Sequence, residues 1–99
     1  MWSPAHVEDI SLDLRQLRYF LGILDAGSFS KAAEVLRIAQ PSLSQHMLAL
    51  EEELGVRLFL RHARGVTATE GGRVLREHAC VIFQEVERSK QALQAIAQY

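Results

Sequence analysis

Apolar residues in the first third of the chain predict an amphipathic helix with one buried stripe. They recur at three- and four-residue steps, which keeps them on one face of a helix: Leu14, Leu17, Phe20, Leu21 and Leu24. Asp13 can cap the start of this helix and Gly27 follows its end. The next segment, "SFSKAAEVLRI", predicts a shorter second helix. Either Ser28 or Ser30 can cap it, and its inward face consists of Ala32, Ala33 and Leu36.

Pro41 decides how the stretch "RIAQPSLSQHM" is divided. Proline has a fixed φ and no N–H, so it suits the first turn of a helix and disfavours helix at the residue before it. "IAQ" is therefore a short turn, and a third helix runs from Pro41 to Leu54 and ends at Gly55. The prediction is helix, tight turn, helix.

A change of pattern after Gly55 predicts a small hairpin and then a long helix. "VRLFLR" and "GVTAT" are β-prone and are separated by "HARG". Thr69 can cap a last helix that continues to about Ala97, although Gly71 and Gly72 each weaken its first turn by roughly 1 kcal/mol. We thus expect a loosely ordered extension at 1–12, a domain at 13–69 and a helical segment at 70–99.

The third helix divides into an apolar face and a face of short neutral groups. Leu43, Met47, Leu50 and Leu54 fall together and are expected to face the core. The opposite face carries Pro41, Ser42, Gln45, Leu48 and Ala49, with Ser44 and His46 on its flanks. A helix that enters the major groove of DNA needs such residues, because amide and hydroxyl groups can bond base edges. A solvated helix face is the alternative.

The distribution of charge supports contact with phosphates better than the net charge does. The net charge is −1, but three of the 12 acidic residues lie within the first thirteen positions, and Glu51–Glu53 form a block at the far end of the third helix. Arg61 and Arg64 flank the predicted hairpin tip, and Lys31 and Arg37 lie at the two ends of the second helix. These four side chains form a positive rim around one polar helix.

Apolar residues in the last helix form a heptad seam. The steps alternate between four and three residues, as in a coiled coil: Leu75, Ala79, Ile82, Val86, Ser89, Leu93 and Ile96. A domain of this size cannot cover the whole helix, so the seam is expected to pair with a second copy. The alternative, a helix folded back on its own domain, applies to the first turns. The seam does not decide between parallel and antiparallel pairing.

Composition and motifs argue against catalytic, metal-binding and membrane functions. His78 and Cys80 point in different directions on a helix, as do Ser44 and His46, so neither pair makes a metal site or a nucleophile with its base. No apolar run spans a membrane and the N-terminus lacks a secretory pattern. The single cysteine, Cys80, fits a reducing, cytoplasmic location, and we expect it to pack beside Ala79, with redox sensing as the alternative. We expect no cofactor.

Four stretches together resemble one family: "LRQLRYF", "GSFSKAAEVLRIAQPSLSQHMLALEEELGVRLFLR", "RGV" and "TEGG". They are similar to the N-terminal DNA-binding domain of LysR-type transcriptional regulators, from Leu14 to about Ala79. The resemblance implies a mainly α fold, a winged helix-turn-helix with a three-helix core and a two-stranded wing, followed by a long dimerisation helix. It also implies a homodimer with antiparallel linker helices, promoter DNA with interrupted palindromic half-sites, and an effector-binding domain that this chain lacks. In the longer protein a tetramer and a small-molecule effector are expected.

The residues and the resemblance together predict roles for particular positions. Base readout is expected from Gln40, Pro41, Ser42, Ser44 and Gln45. Contacts with phosphates or through the wing are expected from Ser28, Ser30, Lys31, Arg37, His46, Arg61 and Arg64. Dimerisation is expected from Leu75, Ala79, Ile82, Val86, Leu93 and Ile96. The chain departs from the family at Gln45, where many members carry arginine, and at the apolar Leu48 and Ala49. The competing function is a coiled-coil interaction module that does not bind DNA.

Overall fold

The computed structural model describes Ser3 and residues 12–98, which form four helices and one β-hairpin. The elements in chain order are α1 (Leu14–Ala26), α2 (Phe29–Leu36), α3 (Gln40–Leu54), β1 (Phe59–His62), β2 (Gly65–Ala68) and α4 (Glu70–Ala97). This order confirms the predicted fold class, a mainly helical chain with a three-helix core, a two-stranded wing and a long last helix. The extension predicted at 1–12 falls almost entirely outside the described residues.

Local capping sets both ends of α1. The Asp13 carboxylate accepts a hydrogen bond from the Gln16 N–H at 2.7 Å, and the Gln16 side chain accepts one from the Asp13 N–H at 3.2 Å. Gly27 ends the helix in the left-handed conformation, at φ 77°. Leu14 was expected to be buried, and this prediction was wrong, since 45% of it is exposed. It lies in the first turn at an open edge of the domain, beside Phe83 of α4.

The helix–turn–helix forms where Pro41 predicts it. Ser28, rather than Ser30, caps α2 by accepting a hydrogen bond from the Lys31 N–H at 3.1 Å. Arg37 then takes a left-handed conformation, at φ 56°, and ends the helix. Helix α3 begins one residue before Pro41, so the proline lies in its first turn and opens a new helix.

The core lies between the first three helices and the start of the hairpin. Its largest fully buried side chains are Leu17, Phe20, Ile23, Leu43, Met47, Leu50 and Leu58. Leu54 was assigned to the buried face of α3, and this was wrong, since 38% of it is exposed. The last turn of α3 extends past the core and leaves Leu54 in an open apolar hollow beside Val56 and Val74.

The hairpin pairs in the predicted antiparallel manner but starts later along the chain. Phe59 pairs with Ala68 and His62 with Gly65, which leaves Ala63 and Arg64 as the turn. The strand was expected from Val56 onward. It begins only at Phe59. The Leu58 carbonyl still accepts a hydrogen bond from the Thr69 N–H at 3.1 Å, but the Leu58 N–H is bonded to the Glu51 carboxylate at 2.7 Å.

Helix α4 is attached to the hairpin through its first turn. The Thr69 hydroxyl accepts a hydrogen bond from the Gly72 N–H at 2.9 Å and donates one to the Arg57 carbonyl at 2.6 Å. A side chain at Gly72 would collide with the Leu58 carbonyl oxygen, so the helix–hairpin contact requires a glycine there. The first turns of α4 pack on the domain and the rest of its 28 residues extends away from it, giving a molecule of 54 × 30 × 24 Å.

Candidate nucleic-acid interface

The outward face of α3 is accessible over its first two and a half turns. Ser42, Gln45, Leu48 and Ala49 are exposed, while Ser44 and His46 on the flanks are half-buried. Ser42, Gln45, His46 and Ala49 line one shallow hollow, so these side chains adjoin each other on the surface. The predicted division of the helix is therefore confirmed over these turns, because Leu43, Met47 and Leu50 are all buried on the other side.

The N-terminus of α3 has no side-chain cap. Ala39 occupies the N-cap position and its side chain has no hydrogen-bonding group, and Gln40 beside it is exposed. The first turn also contains no acidic residue. The first backbone N–H groups of a helix lack partners within the helix and carry partial positive charge, so this end of α3 is suited to an anion such as a phosphate.

Residues at the start of α2 divide between structural and accessible positions. The Ser28 hydroxyl is engaged in capping and lies 3.4 Å from the Ser30 hydroxyl. Ser30 and Lys31 are exposed, and so is Arg37 at the other end of the helix. Thus Ser30, Lys31 and Arg37 can meet a phosphate directly, whereas Ser28 already has a role in forming the helix.

His46 is held against α1. Its ring packs edge-on against Tyr19, with the ring centroids 5.4 Å apart. The Arg18 guanidinium lies on the same tyrosine, 5.9 Å from its centroid. This packing fixes His46 at the border of the exposed face of α3.

The two hairpin arginines, predicted together at the tip, occupy different environments. Arg61 lies within β1, and its guanidinium carbon is 4.1 Å from the centroid of the Phe29 ring, a cation–π contact. Arg64 lies in the turn and is exposed. Arg61 also lines a groove of about 300 Å³ between α3 and the hairpin, together with Ser44 and Leu48. The hairpin and the exposed face of α3 therefore adjoin.

Glu51 has a structural role that the sequence does not reveal. Together with Glu52 and Glu53 it was interpreted as one acidic block, but its carboxylate accepts the part-buried hydrogen bond from Leu58 described above. Glu52 and Glu53 are exposed. The spacing in the sequence could have indicated this role, because Glu51 follows Met47 by four residues and so lies beside the buried face of α3.

The predicted dimerisation residues differ in accessibility along α4. Ala79 is fully buried within its own domain and Leu75 packs against the core, so the fold-back alternative holds for the first turns. Since Ala79 has no free surface in the single chain, it is withdrawn from the dimer contacts. Ile82 and Val86 are half-buried, and Leu93 and Ile96 are largely exposed. Cys80, expected to pack beside Ala79, is exposed instead.

Residues 14–73 match the family described as bacterial regulatory helix-turn-helix protein, lysR family. The chain belongs to the LysR family. It is 46% identical over 87 residues to the nitrogen assimilation regulatory protein Nac of Klebsiella aerogenes, covering 88% of this chain and 28% of that protein. Identity to the Nac protein of Escherichia coli is 45%, with the same coverage. The chain thus spans little more than a quarter of the length of these relatives.

Solved LysR-family structures share the fold. The DNA-binding domain of BenM, a regulator of Acinetobacter baylyi, in complex with benA site 1 DNA superposes with a TM-score of 0.81 at 39% identity. That match covers 86% of this chain and 99% of the BenM chain. The corresponding domain of CbnR in a DNA complex gives 0.80 at 37% identity, covering 87% and 99%. LysR-family members are transcriptional regulators, which confirms the prediction that the chain is not an enzyme.

Among Ser3 and residues 12–98, no three or more His, Cys, Asp and Glu side chains are grouped so that they could hold a metal ion. No helix in the described part of the chain has the length and hydropathy to cross a membrane.

Proposed function

We propose that this chain is the sequence-specific, double-stranded DNA-binding domain of a dimeric bacterial transcriptional regulator. The observation that carries the proposal is the exposed, uncharged face of α3, with Ser42 and Gln45 accessible next to an uncapped helix N-terminus. This half of α3 enters the major groove, where Gln45 pairs with the N6 and N7 edge of an adenine and the serines bond bases or phosphates. Similarity to the BenM and CbnR domains, both determined with DNA, supports this function.

Side chains around α3 hold the domain on the DNA backbone. Arg64 at the hairpin turn contacts a phosphate or the minor groove, and Arg61 on the neighbouring strand β1 makes a second contact with the DNA. Ser30 and Lys31 in the first turn of α2, and Arg37 directly after its end, contact phosphates, and their exposure in the single chain supports this role. These contacts supply affinity without sequence information, whereas Gln40, Pro41, Ser42, Ser44 and Gln45 distinguish between bases.

A pair of substitutions separates readout from affinity. DNA sites are first selected from a random pool, and binding to a selected and a scrambled duplex is then measured across a salt series. We expect Gln45→Ala to reduce the difference in binding free energy between the selected and the scrambled duplex by about 1–3 kcal/mol. Arg64→Ala is expected to weaken binding to both duplexes by the same factor. It should also reduce the slope of log K against log salt concentration by about 0.9, the value for one lost phosphate contact.

The matched controls are exposed positions of α4 outside the seam: Gln91→Ala and Arg88→Ala. Both should bind like the unchanged chain. If Gln45→Ala and its control behaved alike on both duplexes, base readout by this residue would be excluded. A chain that bound no duplex even at low salt would instead be the coiled-coil interaction module.

Dimerisation through α4 completes the proposal. The accessible part of the seam, Ile82, Val86, Leu93 and Ile96, pairs with the same residues of a second copy. A twofold pair of domains presents two α3 helices, so the binding sites carry two related half-sites in an interrupted palindrome. The resemblance favours antiparallel pairing.

The proposal divides this chain into a DNA-binding domain at 13–69 and a linker helix at 70–99, and it includes a cytoplasmic location. The chain spans 28% of the length of its Nac relatives. For a protein of their length we propose in addition an effector-binding domain and a tetrameric assembly.

A further inference from the structure

Leu48 is an apolar side chain on the polar face of α3. It is 56% exposed, whereas its neighbour Met47 is 1% exposed and Leu50 is fully buried. Leu48 therefore adds little to the packing that holds α3 on the core. Single exposed leucines are common on protein surfaces, so exposure alone assigns no role.

Leu48 differs from the other large exposed apolar residues, including Leu60 in the same groove, because it lies on the face of α3 that carries Ser44 and Gln45. It follows Ser44 by four residues and Gln45 by three, which places all three side chains next to each other on the helix surface. Side chains on a helix lean towards its N-terminus, so Leu48 covers the surface beside Ser44 and Gln45. It also lines the groove between α3 and the hairpin with Ser44 and Arg61. By contrast, Val35 is 78% exposed but lies on α2, outside that groove.

We propose that Leu48 is a specificity-determining residue that contacts the C5 methyl group of a thymine in the major groove. A leucine side chain cannot bond the donors and acceptors of the base edges, and the thymine methyl is the apolar group that the major groove presents. The inference rests on the proposed function and extends it from adenine readout by Gln45 to a second base. Three helical residues rise by about 4.5 Å and base pairs by about 3.4 Å, so this thymine lies within two base pairs of that adenine.

The test removes the methyl group from the DNA. Operators are selected with the unchanged 99-residue chain, and each thymine of one half-site is then replaced in turn by deoxyuridine, which keeps the base pair and lacks only the methyl. The dissociation constant is measured at one fixed salt concentration. We expect one replacement to raise the dissociation constant about fourfold, which corresponds to the free energy of burying one methyl-sized group. That position should lie within two base pairs of the adenine read by Gln45.

Leu48→Ala should bind the parent operator about fourfold more weakly and should no longer distinguish thymine from deoxyuridine at that position. Alanine favours helix, and residue 48 is exposed, so the fold is retained. Val35→Ala is the matched control, and it should keep the full sensitivity to the methyl group.

Four other outcomes would overturn the inference without affecting the proposed function. The selected operators could lack a fixed thymine in the half-site, or every deoxyuridine duplex could bind like the parent operator. Sensitivity to loss of the thymine methyl could persist in Leu48→Ala, or it could be lost in Val35→Ala as well. Failure of the unchanged chain to prefer any duplex sequence would overturn the proposed function itself, and this inference with it.

Discussion

Gly65 joins the hairpin to the end of α1. Its φ of 131° is rarely accessible to other residues, and a side chain there would collide with the Gly27 carbonyl oxygen. That same oxygen accepts a hydrogen bond from the Val66 N–H at 2.8 Å. One glycine thus permits both the turn of the backbone and the close approach of the hairpin to the helical core.

We expect Gly65→Ala to lower the free energy of unfolding by about 2–4 kcal/mol, since it combines backbone strain with a steric clash against backbone. Gly55→Ala is the matched control, because Gly55 also has a positive φ, 69°, but no atom lies within 4 Å of an added side chain. Gly55→Ala should lower the free energy of unfolding by about 1 kcal/mol. Urea denaturation of both variants measures the difference, and equal losses would show that the approach to Gly27 is unimportant.

At the scale of elements, Glu51 connects α3 to the hairpin. Its carboxylate provides the hydrogen-bond partner of the Leu58 N–H, which lies in the part-buried segment between the two elements. Loss of this acceptor leaves the part-buried Leu58 N–H without a partner. This lowers the free energy of unfolding more than the loss of a hydrogen bond exposed to water would.

Glu51→Ala should therefore destabilise the fold by about 1–3 kcal/mol, while Glu52→Ala, at an exposed neighbouring position, should stay within about 0.5 kcal/mol of the unchanged chain. Glu51→Gln retains an acceptor oxygen and should lose less than the alanine variant. Thermal unfolding without DNA is the appropriate measurement, because removing negative charge also alters DNA binding. Similar melting temperatures for the two alanine variants would argue against this role.

Helix ends were predictable from the sequence because the residues that set them act locally. Asp13, Gly27, Pro41 and Thr69 each cap, end or open a helix by bonding to or constraining the backbone within a few positions. The exposed face of α3 followed from its periodicity in the same way.

The errors concern contacts between elements. The exposure of Leu14 and Leu54 depends on where neighbouring helices end, and the late start of β1 depends on a carboxylate seven residues away. The burial of Ala79 depends on how closely α4 approaches its own domain. Periodicity describes one element at a time and carries no information on these distances. The roles of the individual site residues stay predictions until DNA binding is measured.

At the scale of the whole molecule, the second half of α4 has few contacts with the domain that precedes it. Leu93 and Ile96 are 66% and 71% exposed. The ion pairs Glu85–Arg88 and Glu87–Lys90 lie on the helix surface and contribute little. An apolar seam in this situation is stabilised chiefly by a partner helix.

Leu93→Lys should weaken the dimer at least tenfold without unfolding the domain, because a charge would enter the seam at a position that does not pack against the core. Sedimentation equilibrium measures this effect, and Gln94→Lys, an exposed change outside the seam, is the control. Binding to a duplex with two half-sites should fall, while binding to a single half-site should stay the same. A dimer unaffected by Leu93→Lys would exclude this part of α4 from the interface.

Phe59 of the hairpin packs against Phe20 and Phe29, with ring centroids 5.6 and 5.2 Å away, and the Arg61 guanidinium also contacts the Phe29 ring. The hairpin is thus packed on α1 and α2 through these rings, and α3 packs in the same core through Leu43, Met47 and Leu50, so the hairpin and α3 keep one fixed separation. In the proposed dimer, adjustment to operators of different lengths would therefore come from α4, which links the two domains. We expect variation in spacing to be tolerated between the two half-sites and not within either of them.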